Sequence, residues 1–469
     1  MENGASELLE EIADFCRASG LAESTFGRAA INDGKLVSRL RNGGRITTHT
    51  LDRLRAFMAN GGASESAARP FVVARATREA PRANGANAVP TRTADPQRNF
   101  RFFDNRQKYL LFVNTCSEKW VIANRVSLEL ANIHPQPPAV RIFDAGMGDG
   151  GVLARVMRAA HNRFPTMPFY IVGKEISLED IRLALQKIAD RFFEHPATVL
   201  ILTNLAYADA PWLTVKSLSA ASSSVWHEVA LAGNSAYAFD EQITALEPFL
   251  AQNWKASVSP KTGNPVYERP VVLVLYRQDH RFLLDSIIPR PGGTVANYDL
   301  VIASQPYRAR APLEFKAKRV IAPLARALGP GGRLIGIHSH GNDPGMEIIN
   351  RVWPEDDPFT TDRHTLLKAV KQELGRAGSH LNFNAYADAR SLFRYEMHTL
   401  PSEIGAESIG TSTLFAAWNA AIYVAQIEDD RLGPVVAKGQ YLEATKAVLQ
   451  AHNGLWFNDE SYVISRRRD

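Results

Sequence analysis

The stretch VRIFDAGMGDG, from Val140 to Gly150, holds the residues of this chain whose types and spacing could most directly bind a cofactor. Its apolar residues are typical of a buried strand ending at Asp144, and glycines at 146, 148 and 150 precede the helical sequence VLARVMRAAHNRF. Glycine allows positive φ and lets a ligand approach the backbone closely. Such turns serve several classes of nucleotide-containing cofactor, so the motif alone predicts a cofactor site without selecting the cofactor.

Three later segments extend this pattern. The next predicted strand, PFYIVGKEIS, ends in Glu175, whose carboxylate could accept hydrogen bonds from both hydroxyls of a ribose. NYDLVIASQPY predicts a buried strand followed by the loop 304–307, and LGPGGRLIGIHSHG predicts a turn and a further strand. His338 and His340 alternate in that strand, so both side chains would lie on one face. They do not make a complete metal-ligand set, which leaves substrate orientation, proton transfer or ordinary hydrogen bonding as alternatives.

In this order of motifs, the chain resembles the class I S-adenosylmethionine-dependent methyltransferases over about residues 100–469. The resemblance implies an α/β fold, a doubly wound, Rossmann-like sheet of seven strands, with a long insertion at about residues 210–296. It also implies S-adenosylmethionine as cofactor and methyl transfer to an unidentified N, O or C acceptor. A Rossmann dehydrogenase is less well supported, because G-M-G-D-G-G lacks the G-x-G-x-x-G spacing.

The resemblance also implies which residues form the site. Those around the methionine part of the cofactor would be Asp144, Gly146, Met147, Gly148 and Gly150. Glu175 would hold the ribose, and Asn204 or Asp209 would lie beside the adenine. The residues facing the acceptor would be Ser304, Gln305, Tyr307 and His338. Two positions depart from the family pattern, because Met147 stands where many members have Cys or Ser and Gln305 replaces the first proline of the amine-methylating loop.

Residues 1–60 predict a separate unit of four short helices, in which basic residues outnumber acidic ones after the first helix. The segment resembles small Cro-like helix-turn-helix domains of bacterial regulators. The presumptive recognition helix would present Lys35, Ser38, Arg39 and Arg41 to DNA. A helical docking or dimerisation module with solvated charges is the alternative. Residues 61–99 are rich in Ala, Gly, Pro, Thr and Arg and predict a flexible linker.

Two functional alternatives follow from this layout. The chain could be a DNA-binding regulator whose large domain senses S-adenosylmethionine or another metabolite without turnover. Alternatively, residues 1–60 could recruit a nucleic-acid substrate to a working methyltransferase.

The remaining elements are predicted from periodicity. The insertion predicts two helical segments, one of which carries His227 and Glu228, and then a strand pair in PVVLVLYRQDHRFLLDSII. We expect it to form a substrate lid or a homodimer contact. Two strands, SLFRYEMHTL and WNAAIYVAQIED, would form a closing antiparallel pair. The helices before the first strand could cap the cofactor through Tyr109 or Trp120, although packing on the sheet is the favoured role for both.

Composition sets the remaining limits. The chain is 45% hydrophobic and 22% charged, which is typical of soluble globular proteins. A net charge of +5 over 469 residues permits an anionic partner without requiring one. The two cysteines, Cys16 and Cys116, lie too far apart in sequence to suggest a disulfide framework or a zinc site. The polar N-terminus is not a signal peptide, and LFAAWNAAIYVA is too short to cross a bilayer. We therefore expect a cytoplasmic protein without a membrane partner or a metal.

Overall fold

A computed structural model of the chain describes residues 3–19, 21–31, 33–42, 48–59, 106–259, 265–399, 403–405 and 408–468. The chain divides into two compact units, Met1–Pro90 and Thr91–Asp469. The predicted linker at 61–99 lies outside the described residues.

The described residues of the first unit form four helices, the number that the sequence predicts. They are α1 (Asn3–Ser19), α2 (Glu23–Ile31), α3 (Leu36–Arg41) and α4 (Thr48–Ala59). One apolar face of each helix supplies the common core, because apolar residues recur at helical spacing. Buried members of this core include Leu8, Ile12, Phe26, Leu36, Leu40, Leu54 and Phe57.

The second unit is built on a large mixed sheet. The strands of the described residues are β1 (Val140–Asp144), β2 (Phe169–Lys174), β3 (Thr198–Thr203), β4 (Val225–Leu231), β5 (Ala256–Val258), β6 (Pro265–Tyr267), β7 (Val271–Arg277), β8 (Tyr298–Ser304), β9 (Leu328–Ser339), β10 (Leu381–Asn384), β11 (Leu392–Glu396) and β12 (Trp456–Arg466). The main sheet has ten strands in the order β10-β12-β9-β8-β1-β2-β3-β7-β4, with β11 paired to β12. It is therefore larger than the seven-stranded sheet predicted.

Helices cover this sheet on both faces, and the described ones are α5 (Arg106–Thr115), α6 (Glu118–Ser127), α7 (Gly151–Arg163), α8 (Leu178–Gln186), α9 (Ala189–Glu194), α10 (Leu218–Ser222), α11 (Ala236–Thr244), α12 (Glu247–Asn253), α13 (Arg281–Leu284), α14 (Ala322–Arg326), α15 (Pro344–Val352), α16 (Arg363–Leu374), α17 (Asp388–Ser391), α18 (Thr411–Val424), α19 (Asp429–Lys438) and α20 (Gln440–His452). A π-helical turn, Phe315–Ile321, leads into α14. The helices from α6 to α9 pack on one face, and α14 and α16 pack on the other. A third apolar cluster joins α5, α15, α18 and α20 to β11 and β12. No helix of the described residues is long and apolar enough to span a bilayer.

The central strands run parallel, and this aligns the loops that carry the candidate site. β1 pairs in parallel with β2, placing Asp144 opposite Gly173, and with β8, placing Asp144 opposite Ile302. Nearly every residue of these strands is buried, because helices cover both faces of the sheet. The carboxyl ends of β1, β2 and β8 consequently meet at one edge, where ligands bind in open α/β sheets.

The predicted insertion extends the sheet. β7 pairs antiparallel with β3, and β4 pairs in parallel with β7. His227 and Glu228 lie on β4, so the helix predicted for them is wrong. The second strand of the predicted pair is also wrong, because after β7 the chain forms a 3-10 turn and the short helix α13. Much of the insertion therefore serves as sheet edge, which the lid prediction did not anticipate.

The closing pair of strands also differs from the prediction. WNAAIYVA belongs to α18, an apolar helix of 14 residues, and not to a strand. The strand that pairs antiparallel with β9 is β12, and β10 and β11 both pair with β12 in turn. The GPGG sequence lies inside β9, where it interrupts the pairing with β8: the register shifts between Leu328 and Arg333, and Gly331 has a φ of +73°.

Gly150 provides a test of the turn between β1 and α7. Its φ is +74°, and an added Cβ would lie 2.9 Å from Ala184 Cα. We expect Gly150→Ala to lower the free energy of unfolding by more than about 1 kcal/mol, because both the backbone and the contact become strained. Urea unfolding followed by circular dichroism measures the change.

Gly293→Ala is the matched control. The φ of Gly293 lies outside the left-handed region, and an added Cβ would meet only Arg290 O, at an ordinary contact distance of 3.7 Å. Alanine there should leave the free energy of unfolding within about 0.5 kcal/mol of wild type. Equal midpoints for the two variants would contradict the strained geometry at Gly150.

Candidate functional site

Glu175 joins the glycine loop to the end of β2. Its Oε2 accepts a hydrogen bond from Gly148 N at 2.9 Å, and its Oε1 accepts from Ile176 N at 2.7 Å and Ser177 N at 2.8 Å. Burial raises the pKa of this carboxyl, and the nearby Asp180 carboxylate raises it further. The structure thus brings Glu175 directly to the predicted loop.

Asp144 lies at the end of β1 beneath the same loop. Its Oδ1 accepts a hydrogen bond from Gly146 N at 3.2 Å, and its side chain is 1% exposed. Burial raises the pKa of Asp144 to about 7, although the Gly146 N–H and the Lys119 ammonium oppose that rise. A cationic partner would lower this pKa, because a positive charge stabilises the ionised form of the carboxyl.

Lys119, which the sequence reasoning missed, lies close to this loop. Its Nζ is 5.7 Å from the ring centroid of Tyr109, and its charge acts on both Asp144 and Asp149. Asp149 N donates to the Tyr109 hydroxyl at 3.3 Å. Tyr109 therefore lies on the loop, whereas Trp120, the other candidate cap, is 53% exposed. A lysine in an otherwise ordinary helix gives no sequence signal of this placement.

The loop after β8 lies next to the glycine loop. An added Cβ on Gly146 would meet only Ser304 O, at 3.9 Å, so the backbone there is open to a ligand. Gln305 adopts a left-handed φ of +46°, and its Nε2 donates to Ser339 Oγ at 3.2 Å and to Asp459 Oδ1 at 3.3 Å. Left-handed backbone in a residue other than glycine persists where its surroundings hold it, and such residues cluster at functional sites.

Tyr307 and His338 form a buried polar chain with Glu460. The distance from the Tyr307 hydroxyl to His338 Nδ1 is 2.6 Å, and that from His338 Nε2 to Glu460 Oε1 is 2.7 Å. Arg363 completes the chain by donating from NH1 to Glu460 Oε2 at 2.9 Å. Burial would raise the pKa of Glu460, but the hydrogen bonds from His338 and Arg363 outweigh burial and lower it to about 2.

This charge fixes the direction of the hydrogen bonds. An ionised Glu460 accepts the Nε2–H of His338, and in a neutral imidazole the remaining Nδ1 accepts the O–H of Tyr307. His340 Nδ1 lies 3.8 Å from Glu460 Oε2 and is more exposed, so both histidines face this acid as their alternation predicts. Tyr307 and His338, two of the residues predicted to face the acceptor, are thus held in one chain by Glu460, which the sequence did not predict.

The loop after Tyr307 is fastened to the turn between α18 and α19. Ala309 N donates to Gln426 Oε1 at 3.0 Å, and Arg310 and Arg431 each lie 2.8 Å from Asp356. The predicted insertion contacts the site at another point, where Trp254 Nε1 donates to Glu175 O at 3.1 Å. The turn between α18 and α19, together with Arg431 of α19, thus anchors the loop that follows Tyr307. The sequence predicted no element for this role.

Three of the predicted cofactor contacts also have structural roles. Met147 is 3% exposed, and its side chain packs in the core so close to Gly173 that an added Cβ there would lie 2.5 Å from its sulfur. Gly150 forms the turn into α7 against Ala184. Asn204 donates from Nδ2 to Arg269 O and accepts from Val271 N, so its amide holds β7 on the sheet.

The first unit presents the residues predicted to contact DNA. Lys35, Ser38, Arg39 and Arg41 are exposed, with Lys35 at the start of α3. Arg39 NH2 lies 2.9 Å from Asp33 Oδ2, and Arg41 forms an ion pair with Glu23. Both ion pairs are solvent-exposed, so each contributes little to stability.

Comparisons with known proteins give weak structural similarity and no match in sequence. No model of a protein family matches the sequence, and no curated protein matches it. One matching solved structure is a geranyl diphosphate methyltransferase in complex with GPP and sinefungin. The sequence identity is 13% and the TM-score is 0.27, and the match covers 73% of this chain and 78% of that chain. Another is a putative sarcosine dimethylglycine methyltransferase from Galdieria sulphuraria, at 11% identity and a TM-score of 0.27. The match covers 75% of this chain and 86% of that chain.

A third is PKMT2 from Rickettsia typhi in complex with AdoHcy, at 11% identity and a TM-score of 0.26, covering 74% of this chain and 53% of that chain. At these values the similarity assigns no family or activity.

The raised pKa of Asp144 has a measurable effect on stability. Its folded-state value of about 7 exceeds the ordinary 3.8, so the folded chain holds a proton that the unfolded chain releases. The stabilisation is complete below about pH 4 and is lost as the pH rises through about 7. We expect the wild type to lose up to about 4 kcal/mol relative to Asp144→Asn over this interval.

Thermal unfolding of both proteins between about pH 4 and pH 8 measures this difference. Comparison with the variant cancels the contributions of the other titrating groups. A constant difference across the interval would show that the Asp144 carboxyl has no raised pKa.

Proposed function

We propose that the second unit is an S-adenosylmethionine-dependent methyltransferase. The observation that carries this proposal is the placement of two carboxyls, the buried Asp144 and the half-buried Glu175, at adjacent strand ends beneath one glycine loop. The loop Ser304–Tyr307 lies against the same turn, which places a second group of polar residues next to the first. A nucleoside with a cationic tail fits these donors and acceptors.

The sheet order supports the same proposal. The contiguous run β3-β2-β1-β8-β9-β12-β10 contains seven strands. Of these, β12 alone runs in the direction opposite to the other six. The remaining strands of the main sheet are β7 and β4 from the insertion and β11 beside β12. We therefore propose that this run is the seven-stranded frame that the sequence predicts, with β7 and β4 added beside β3.

The residues of this chain divide the binding task. Asp144 would accept from the amino group of the donor's methionine part, and the backbone at Gly146 and Gly148 would lie along it. Glu175 would accept from the ribose hydroxyls, exchanging its bond from Gly148 N for them. When bound, S-adenosylmethionine supplies an electrophilic methyl group on a positively charged sulfur.

The acceptor side would be formed by Ser304, Gln305, Tyr307 and His338. The fixed bonds of Gln305 and the chain from Tyr307 to Glu460 keep these side chains in one arrangement. Catalysis in such a site comes mainly from positioning, and alignment of two reactants can lower a barrier by about 7 to 11 kcal/mol. The acceptor is an N, O or C nucleophile.

Binding of S-adenosylmethionine tests the proposal directly. We expect Glu175→Ala to weaken binding at least about tenfold, because charge-assisted hydrogen bonds to the ribose are lost. Gly148→Asp should weaken it further, because the φ of +52° disfavours a side chain and a carboxylate would enter the loop. Isothermal titration calorimetry on the full chain measures both constants.

Glu179→Ala is the control, because Glu179 lies on α8 near Glu175 and its side chain is 57% exposed. It should bind with wild-type affinity. Unchanged affinity in both site variants, or no binding by the wild type, would overturn the proposal.

We also propose that the first unit contacts DNA through α3. The supporting observation is the exposure of Lys35, Ser38, Arg39 and Arg41 on this one short element. The exposed ion pairs of Arg39 and Arg41 are weak enough to be exchanged for phosphate contacts. The chain would then be either a regulator that binds S-adenosylmethionine without turnover or an enzyme acting on nucleic acid.

We expect Arg39→Glu to weaken binding to random duplex DNA about tenfold and to reduce its salt dependence. Electrophoretic mobility shifts at several salt concentrations measure both effects. Arg17→Glu is the control, because Arg17 is an exposed arginine at the end of α1. Equal shifts for the two variants would contradict the assignment of α3.

A further inference from the structure

An open cavity of about 580 Å³ lies where the edge strand β10 meets β12 and the end of α16. Its volume is within the range of about 300–1,000 Å³ that is usual for small-molecule sites. Three cations line it, Arg333, Lys371 and Arg467, whereas no aspartate or glutamate of the described residues does. We call it the basic cavity.

The pairing of three strands places polar side chains next to one another in the basic cavity. Ser465 on β12 lies directly opposite Arg333 on β9 and Asn382 on β10. These three side chains therefore form a row across one face of the sheet. Asn384 follows two residues after Asn382, so its side chain lies on the same face. The strand ladder fixes the spacing of this row.

Arg333 is the most firmly held cation of the basic cavity. Its side chain is 14% exposed, and its Nε donates to Glu129 Oε2 at 2.8 Å. Its NH2 donates to the Tyr386 hydroxyl at 3.3 Å, and the hydrogen of that hydroxyl can still donate to a ligand. Arg125 NH1 also donates to Glu129, at 3.3 Å, so one carboxylate serves two arginines. The positive charge of Arg333 is thus only partly neutralised.

The other polar side chains in the basic cavity have no hydrogen-bond or ion-pair partner among the described residues. They are those of Lys371, Arg467, Asn382, Asn384 and Ser465. All five are exposed or half-buried, so water solvates them. A ligand can therefore bind to these groups without breaking a hydrogen bond or an ion pair within the described part of the chain.

The basic cavity is separate from the proposed methyl-transfer site. Arg333 lies near the start of the regular pairing between β9 and β12, whereas Ser339, which contacts Gln305, lies at its end. The strand from Arg333 to Ser339 spans about 20 Å. A ligand in the basic cavity would consequently lie at the opposite end of β9 from the acceptor-side loop.

We propose that the basic cavity binds a phosphate group that carries two or more negative charges, either free or as part of a small organic ligand. Arginine and lysine give the charge-assisted hydrogen bonds that phosphate oxygens accept best, and the amides and hydroxyls supply further donors. Lys371 and Arg467 have no acidic partner among the described residues, so an anion of at least two charges balances this surplus. Such binding does not require the proposed methyl transfer.

Isothermal titration calorimetry of the full chain with inorganic pyrophosphate is the test. We expect binding that weakens as salt is added, because the attraction is between charges. Lys371→Glu and Arg467→Glu should each weaken it at least about tenfold, since each replaces an attractive charge with a repulsive one. Both side chains are exposed, so both variants should unfold at the wild-type temperature.

Lys438→Glu is the matched control. Like Lys371, Lys438 is exposed and lies in the last turn of a helix, here α19, but it does not line the basic cavity. This variant should bind pyrophosphate within about threefold of wild type.

Uridine diphosphate distinguishes the two sources of the phosphate group. Tighter binding than that of pyrophosphate, lost in both cavity variants, would assign the site to an organic phosphate. Equal or weaker binding would assign it to the free ion.

No binding of either probe by the wild type at millimolar concentration would overturn the inference. Binding that both cavity variants leave unchanged, or that Lys438→Glu weakens as much as Lys371→Glu does, would overturn it as well. The proposed methyltransferase would stand in each case, because its own test is the binding of S-adenosylmethionine.

Discussion

The arrangement of the candidate site depends on the carboxylate of Glu175, which accepts hydrogen bonds from three backbone N–H groups. Two of these come from the chain immediately after Glu175, and the third comes from Gly148 in the neighbouring loop. The carboxylate therefore fixes the loop after β1 against the end of β2. Parallel pairing brings β8 to the same edge, so Asp144 and Ser304 are held at defined positions relative to it.

The central strands could be predicted from sequence, and the peripheral elements could not. β1, β2, β3 and β8 are short apolar runs bounded by polar or glycine-rich segments, which is the pattern of a strand buried on both faces. VWHEVAL was predicted as helix because a short amphipathic run fits either period. WNAAIYVA was predicted as strand because its residues favour strands, yet the segment is a helix surrounded by other helices and apolar on nearly every side.

The site could be predicted where its residues are local in sequence. Asp144, Gly146, Gly148 and Glu175 follow from strand ends and glycines, so their meeting could be foreseen. Asn204 could not be distinguished from a ligand contact, because its role depends on β7, which arrives from a later part of the chain. Asp459 and Glu460 carried a signal in the sequence, because two adjacent acids next to the apolar run YVI are costly to bury and require specific partners.

The position of β12 affects how this protein folds as well as what it binds. β12 is the last of the described strands, yet it lies inside the sheet, paired with β9, β10 and β11. Its residues meet partners far away in the chain, since Ser461 accepts a hydrogen bond from Arg125 across 336 residues. Contacts of such long sequence separation form slowly, because the chain must close large loops before they stabilise anything. Without β12, the side of β9 that it covers would be an exposed strand edge able to pair with another chain, so the strand that brings Glu460 to His338 also covers an edge prone to aggregation.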